Sequence, residues 1–340
     1  VLKDTDILSN IKDAYTKEDG SIYTMPVKFG IPMIEGNKDI IAGITDLTTE
    51  ADAAESQKDS YGKLQFFSDF SIAPSYLIQG TIDNSIPAWM NEDGTLNENA
   101  VKEYLEQVNR IWQTQKNAIE ETKKAYQMGD DWADSDHSGY MDISGSVTSL
   151  LAKVDTVAAG GLLSPEGLVS LDSARKVDPD LDYKLLNGQS ENCFYPRSAV
   201  GVSAKASEKE AAEKFVKFLF EEESQRASNT EGLAVNSKVY EDMAYWKMGK
   251  SSGDTIGSIG ASYDTGDGNI KQIEMDEIIP EDEAIQNIMD LGKTLTVPAK
   301  SNQIIRNAVT ESGEKYLNGE TGLDDAVKEI MQEVNLYLSE

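Results

Sequence analysis

Residues 199–225 read AVGVSAKASEKEAAEKFVKFLFEEESQ, and this stretch decides the class of fold. Its first five residues have the composition of a strand, and Ser207 followed three residues later by Glu210 has the spacing of a capping box that begins a helix. Apolar residues then recur at helical spacing, which predicts a buried helix side formed by Ala211, Ala212, Phe215, Val216, Phe218 and Leu219. A strand followed at once by an amphipathic helix is typical of α/β proteins.

The neighbouring segments continue this alternation of strands and helices. A predicted strand passes through Ile22 and Tyr23 and ends at Pro26. One helical face carries an apolar stripe that predicts a core helix: Val101, Tyr104, Leu105, Val108, Ile111 and Trp112. Residues 251–268 are rich in Gly, Ser, Asp and Thr, which indicates a loop or an insertion. Helices close the chain, so α/β layers are favoured over a β-sandwich or a helical bundle.

The composition excludes several classes of partner and site. With 31 basic and 60 acidic residues the net charge is −29, which repels phosphate backbones, so nucleic acid is not expected as a partner. Cys193 and His137 are the only residues of their types, which excludes an internal disulfide and a Cys/His metal cluster. No apolar leader precedes Val1, and we expect such a segment to lie upstream.

Enzyme motifs give little reason to expect catalysis. Neither a phosphate-binding glycine loop nor H-E-x-x-H occurs in the sequence, and His137 lies in a polar stretch. A glycosidase needs only two carboxylates across a cleft, and their separation is a matter of three-dimensional geometry. We therefore expect no enzyme, with a carboxylate-based glycoside hydrolase as the alternative.

Four stretches together resemble family 1 of the bacterial extracellular solute-binding proteins, which includes maltose-binding protein and supplies the substrate-binding component of ATP-driven (ABC) importers. They are DGSIYTMP at 19–26, the stretch 199–225 quoted above, EGLAVNS at 231–237 and YLNGETGLDDA at 316–326. Ala234 stands where the family usually has proline. Their order and spacing, more than any single stretch, carry the resemblance.

The resemblance implies a two-lobed, periplasmic-binding-protein-like (type II) fold with the ligand in a cleft between the lobes. Residues 1–26 would end the opening part of lobe 1, 27–198 would form lobe 2 and 199–250 would return to lobe 1. Residues 251–280 would be a loop or insertion, and 281–340 would be closing helices packed on lobe 2. The family has further strands and helices before the first of these stretches, so an incomplete first lobe is expected.

The same resemblance places ten residues at the ligand, with hinge packing or a solvated helix turn as the alternative for each. Aromatic faces and planar polar groups are the features that recognise sugars in such clefts. Val147 replaces the tryptophan that often follows the family's second-lobe loop, which argues against a simple maltose-like stacking site. The expected ligand residues are Lys28, Phe29, Tyr140, Ser144, Ser146, Tyr195, Arg197, Asn302, Gln303 and Arg306.

A calcium loop is a further candidate. Asp134, Asp136, Ser138 and Asp142 occupy the oxygen-bearing positions 1, 3, 5 and 9 of such a loop. Position 12 is Gly145 instead of the bidentate glutamate. An acidic surface loop is the alternative reading of this segment.

The resemblance implies a protein that captures a small solute, an oligosaccharide above all, and delivers it to a membrane permease. A monomer is expected, because the closing helices show no sustained heptads of a coiled coil. No cofactor is expected apart from the candidate calcium ion. The protein is expected on the extracellular face of the cytoplasmic membrane, anchored by lipid through an upstream segment, or in the periplasm. A peptide or a polyamine is the alternative solute.

Overall fold

Strand β1, Met25–Asn37, is thirteen residues long and is shared by two parts of one sheet. The computed structural model describes residues 1–2, 4–57, 65–67, 73–91, 93–126, 142–227, 232–264, 269–299 and 302–338. The beginning of β1 pairs antiparallel with β5 (Cys193–Val200) and β6 (Leu233–Ala234). From Ile31 onward β1 pairs antiparallel with β3 (Asp155–Leu162) and β4 (Leu181–Leu185).

Three more pairings complete the sheets. Strand β2 (Gln65–Phe67) runs parallel to β3, and β9 (Val297–Pro298) runs parallel to β5, which gives the order β2-β3-β1-β5-β9. Strands β7 (Thr255–Asp264) and β8 (Ile270–Ile278) form a separate antiparallel hairpin.

Helices cover both faces of the large sheet. In chain order, they begin with α1 (Ser9–Ala14), α2 (Lys38–Ala42), α3 (Leu47–Gln57), α4 (Pro74–Ile82), α5 (Ile86–Trp89), α6 (Glu98–Tyr126), α7 (Val147–Ala152) and α8 (Pro165–Val177). The second half contains α9 (Lys209–Leu219), α10 (Glu222–Arg226), α11 (Ser237–Tyr240), α12 (Met243–Trp246), α13 (Asp282–Thr294), α14 (Gln303–Leu317) and α15 (Leu323–Leu338). A 3₁₀ turn, Ile143–Ser146, leads directly into α7.

The two-residue period of β1 separates two hydrophobic cores. Odd-numbered side chains, including Phe29, Ile31 and Met33, belong to the first core together with residues of α8, α11, α12 and α13. Ile34 on the opposite face belongs to the second core, which is filled from α3, α4, α6, α14 and α15. Because side chains alternate between the faces of a strand, one strand supplies both cores.

The apolar stripe between Val101 and Trp112 is confirmed as core. All six of its side chains are buried within α6 and contribute to the second core: Val101, Tyr104, Leu105, Val108, Ile111 and Trp112. An apolar stripe on one helical face is buried when a single layer of neighbouring elements packs against it, and helices α3, α4 and α15 form that layer.

The first strand differs from its predicted bounds. It begins at Met25, so Ile22 and Tyr23 lie before it, and it continues through Pro26 and Pro32. The prediction that Pro26 ends the strand was wrong. A proline is compatible with a strand where no ladder hydrogen bond from its nitrogen is required.

The predicted loop over residues 251–268 was also wrong for most of its length. Residues 255–264 form β7, and the following segment returns as β8. Exposed and partly covered residues alternate along both strands, with Ile259, Ile273 and Met275 on the covered side. The high content of Gly, Ser and Thr hides this two-residue period from a reading based on composition.

Helix α9 corrects two further expectations. It begins at Lys209 with Glu208 at the N-cap, one residue later than the capping box requires, and no side chain caps it. Of the side predicted to be buried only Val216 is buried, while Phe215 is 61% and Phe218 is 51% exposed. Amphipathic spacing predicts that a helix has an apolar face, but whether that face is buried depends on the element that packs against it.

The lobe boundaries at 26, 198, 250 and 280 stay predictions.

Candidate functional site

Two of the predicted ligand residues meet at the end of α4. The Arg306 Nη1 atom of α14 lies 2.5 Å from Asp83 Oδ2, and each side chain is only 7% exposed. The neighbouring Asn84 donates from Nδ2 to the Tyr195 hydroxyl of β5, at 3.2 Å. We call Asp83, Asn84, Tyr195 and Arg306 the polar cluster. It joins α4, α14 and β5 through buried polar groups.

The electrostatics of the polar cluster follow from burial. Desolvation raises the pKa of the Tyr195 phenol well above its ordinary value, and its hydrogen bond with Asn84 opposes this only partly. The Asn84 Oδ1 atom is buried and has no hydrogen-bond donor among the residues that the structure describes. A buried carbonyl oxygen without a donor is costly, so this atom is suited to a water molecule or a ligand hydroxyl.

The ring of Tyr195 connects the polar cluster to the predicted second-lobe turn. A Cβ atom at Gly161 of β3 would lie 3.2 Å from the Tyr195 ring, so glycine permits the close approach. Gly161 also forms an isolated parallel bridge with Asp142, whose side chain accepts hydrogen bonds from the backbone N–H and the hydroxyl of Ser144. The structure therefore brings Tyr195 near the turn that carries Ser144 and Ser146.

Lys28, Phe29 and Arg197 lie on the paired strands β1 and β5, but in different environments. Lys28 is the register partner of Arg197, and its ammonium group donates to the backbone oxygen of Gln225. Phe29 is fully buried in the first core, where its ring contacts those of Phe194 and Tyr240. Core packing alone accounts for Phe29, whereas the half-buried Arg197 stays a ligand candidate.

Gly232 explains why the chain passes closely over this strand pair. Its φ of +141° is rarely adopted by other residues, and a Cβ atom there would lie 2.8 Å from Lys28 Cβ and 3.2 Å from Arg197 Cγ. A side chain at this position would push against the side chains of Lys28 and Arg197.

Asn302 and Gln303 begin α14 one turn before Arg306. The Asn302 Oδ1 atom accepts hydrogen bonds from the backbone N–H groups of Ile304 and Ile305, which makes Asn302 a helix cap. Gln303 is exposed, and its amide donates to Asn307. Because Arg306 is fixed to Asp83, this exposed helix start is held beside the end of α4.

Tyr140 and three of the four calcium-loop residues, Asp134, Asp136 and Ser138, lie outside the described residues. Asp142 is described, and its carboxylate is occupied with capping the 3₁₀ turn. The parts of the chain that the structure describes contain no group of three or more His, Cys, Asp and Glu residues arranged for a metal ion. The calcium site stays an untested prediction.

The glycosidase alternative requires a carboxyl group with a raised pKa beside a cleft. In the described residues, raised carboxyl pKa values occur at Glu35 and Glu50. Burial is the main cause at both, and the Glu50 pKa reaches about 8. Glu35 is 0% and Glu50 is 2% exposed, so neither carboxyl group faces an open cleft.

The sequence GKSSG at 249–253 matches the G-x-S-x-G pattern of a serine nucleophile. That motif requires a strand followed by a helix, whereas this segment joins helix α12 to strand β7.

An open cavity of about 560 Å³ lies between β4 and α13. Its wall carries the charged side chains Arg175, Asp182 and Lys184 opposite Ile288 and Leu291 of α13. None of the predicted ligand residues lines it. The cavity is therefore separate from the polar cluster.

Sequence reasoning missed Asp83 and Asn84. They follow α4 in a stretch without a motif, and only their hydrogen bonds to Arg306 and Tyr195, at sequence separations of 223 and 111, reveal their place. Two polar residues directly after an apolar helix were the available signal.

Comparisons with solved structures identify the fold. The maltose-bound MalE3 of T. maritima matches 98% of this chain and 76% of its own, with a TM-score of 0.54 and 14% sequence identity. The cyclic alpha-maltosyl-1,6-maltose binding protein of Arthrobacter globiformis matches the same shares, with a TM-score of 0.52 and 14% identity. A family 1 extracellular solute-binding protein of Alicyclobacillus acidocaldarius covers 100% of this chain and 77% of its own, at TM-score 0.54 and 15% identity. At such identities the matches concern the fold, and they confirm the predicted two-lobed α/β class.

Other comparisons bear on family and on membrane insertion. No curated protein matched the sequence. Within the described ranges, helices long and apolar enough to span a membrane are absent. The sequence model of the bacterial extracellular solute-binding proteins matches residues 1–226, about two thirds of the chain. This chain belongs to the bacterial extracellular solute-binding protein family.

Proposed function

We propose that this protein captures a carbohydrate, an oligosaccharide above all, and delivers it to the permease of an ATP-driven importer. The observation that carries the proposal is membership of the solute-binding family together with a fold shared with the maltose-bound MalE3 and the cyclic alpha-maltosyl-1,6-maltose binding protein. The protein acts as a monomer on the extracellular face of the cytoplasmic membrane or in the periplasm, and it needs no cofactor.

The polar cluster and its surroundings supply the chemistry for such a ligand. Sugar hydroxyls both donate and accept hydrogen bonds, and planar amide and guanidinium groups pair with them well. The exposed amide of Gln303 and the half-buried guanidinium of Arg197 lie on elements that the polar cluster holds together. Binding would draw the lobes together around the sugar, and the closed form would be the one that the permease recognises.

A thermal-shift screen tests this function. The protein is heated with mono- and oligosaccharides, amino acids, polyamines, peptides and calcium in parallel. We expect a saccharide to raise the melting temperature with concentration, because a ligand that binds only the folded state stabilises it, and we expect no product after long incubation. A response to polyamines or peptides alone would contradict the substrate class, and turnover of the sugar would replace transport by glycoside hydrolysis.

A matched pair of variants on α14 then tests the site. Gln303→Ala removes an exposed amide at the helix start, and Glu311→Ala removes an exposed carboxylate two turns further on. We expect Gln303→Ala to weaken saccharide binding about tenfold, the effect of one lost ligand hydrogen bond, and Glu311→Ala to leave it unchanged. Equal affinities of both variants and the unmodified protein would remove Gln303 from the site.

A further inference from the structure

The β7–β8 hairpin packs one face against α7 and α8. Its covered side contributes Met275 to the first core, with Ile259 and Ile273 packed beside it. The opposite side carries exposed polar residues, among them Gln272 and Glu274. An isolated two-stranded hairpin is marginally stable, so this hairpin depends on the helices that it covers.

The hairpin is bonded to both ends of α7. The Tyr263 hydroxyl lies 2.7 Å from the Thr148 hydroxyl in the first turn of the helix. The Lys271 ammonium donates to the backbone oxygens of Leu151, at 3.2 Å, and Ala152, at 3.0 Å, in the last turn. A cation at the carbonyl end of a helix is favoured by the helix dipole and satisfies oxygens that have no partner within the helix. Both the position and the axis of α7 are thereby defined.

The hairpin is also bonded to α8. The Ser170 hydroxyl donates to Glu277 Oε1 at 2.6 Å, and the backbone N–H of Ile278 donates to the Ser173 hydroxyl at 2.9 Å. At the base of the hairpin, the two segments that lead to α12 and α13 are bonded to each other: the backbone N–H of Gly253 donates to Ile279 O, and that of Ile279 donates to Asp254 O. Beyond them, Lys247 after α12 pairs with Asp282 of α13. The hairpin therefore connects α7 to elements distant from it in the chain.

The 3₁₀ turn Ile143–Ser146 continues into α7 without a break, so the position of α7 sets the position of Ser144 and Ser146. We propose that the β7–β8 hairpin acts as a brace that positions this turn for ligand binding, with Lys271 and Tyr263 as positioning residues. The role in binding rests on the proposed function, whereas the brace itself rests on the contacts described above.

Amide hydrogen exchange of the unliganded protein tests the brace directly. Lys271→Met keeps the long side chain but removes the charge, Lys271→Arg keeps both charge and donors, and Gln272→Met alters the exposed side of the same strand. We expect exchange over residues 143–152 to rise about tenfold in Lys271→Met and to stay unchanged in the other two variants. Unchanged exchange in Lys271→Met would refute the brace. Tyr263→Phe gives a second, milder test should Lys271→Met fold poorly.

Saccharide affinity tests the consequence for binding, by a double-mutant cycle. We expect Lys271→Met to weaken binding of the saccharide found in the screen about fivefold, through loss of positioning hydrogen bonds. Combined with Ser144→Ala, the loss should be smaller than the product of the two single losses, because both changes act on one turn. Independent effects, or faster exchange at unchanged affinity, would overturn the positioning role. If the unmodified protein binds no saccharide, the proposed function fails, and the exchange experiment still decides whether the hairpin is a brace.

Discussion

Replacing Asp83 by asparagine should lower the free energy of unfolding by about 3–5 kcal/mol, because the change would leave the Arg306 guanidinium buried without its carboxylate. The two charged atoms are 2.5 Å apart, and both side chains are 7% exposed. At an effective dielectric constant of about 20, unit charges at that distance attract by about 6–7 kcal/mol, and desolvation of both groups offsets part of this. Asparagine keeps the size of the side chain, so the measured loss reports the charge.

Urea unfolding followed by tryptophan fluorescence measures the change in the free energy of unfolding, and buried tryptophans report on the unfolding of both cores. Trp246 lies in the first core and Trp89 in the second, and each is at most 1% exposed. The matched control is Lys102→Met at an exposed ion pair, whose partner carboxylate is 86% exposed and whose loss should cost less than about 1 kcal/mol.

A double variant completes the test. Asp83→Leu combined with Arg306→Met replaces the pair by apolar groups and should recover most of the lost stability, since no buried charge is left unpaired. The reasoning would be refuted if Asp83→Asn cost no more than the Lys102→Met control, or if the double variant were as unstable as the single one.

Three further outcomes follow from burial. Gly292→Ala should lower the free energy of unfolding by about 2 kcal/mol, because its Cβ would overlap the Tyr240 hydroxyl and lie 2.9 Å from Tyr240 Cζ. The control is Gly43→Ala, whose Cβ would have its nearest neighbour at 3.7 Å and which should be nearly neutral in the same urea titration. Burial raises the Glu50 pKa from 4.5 to about 8, so the folded state binds this proton more tightly. The contribution of Glu50 to stability should therefore be fully present below pH 4.5 and be lost as the pH rises from there through about 8. Glu50→Gln should flatten that decline, and an equal slope of the urea midpoint against pH in both proteins would contradict it. Burial raises the Cys193 pKa to about 12, so a thiol reagent at pH 8 should label it only in denaturant, and rapid labelling of the native protein would show that the thiol is accessible.

The fold class was predictable because several local signals agreed with the family resemblance. The stripe from Val101 to Trp112 has a strict helical period, and a helix of that kind is buried wherever one layer covers it. The same logic failed for Phe215 and Phe218 of α9, because periodicity defines an apolar face and burial depends on which element packs there. The hairpin was missed because its two-residue period is carried by small and polar residues.

The candidate site was predictable only in part. Tyr195 and Arg306 were identified from the resemblance, and the structure does bring them to one polar cluster. Their partners Asp83 and Asn84 belong to no motif, and pairing across more than a hundred residues is a property of the folded chain. For Phe29 the packing favours the alternative of hinge packing, because an aromatic residue on a hinge strand can face either side and this one faces the first core. Its contact with a ligand stays a prediction.

Strand β1 contributes side chains to both cores, and this constrains the number of its residues more than their identity. Inserting or deleting one residue within Met25–Asn37 would turn every following side chain to the other face. Met33 would then leave the first core and Ile34 the second, so both cores would be disrupted by one event. Substitutions of similar size can be accommodated on either side separately. The two cores contain different helices, yet both require that Met25–Asn37 keeps its number of residues.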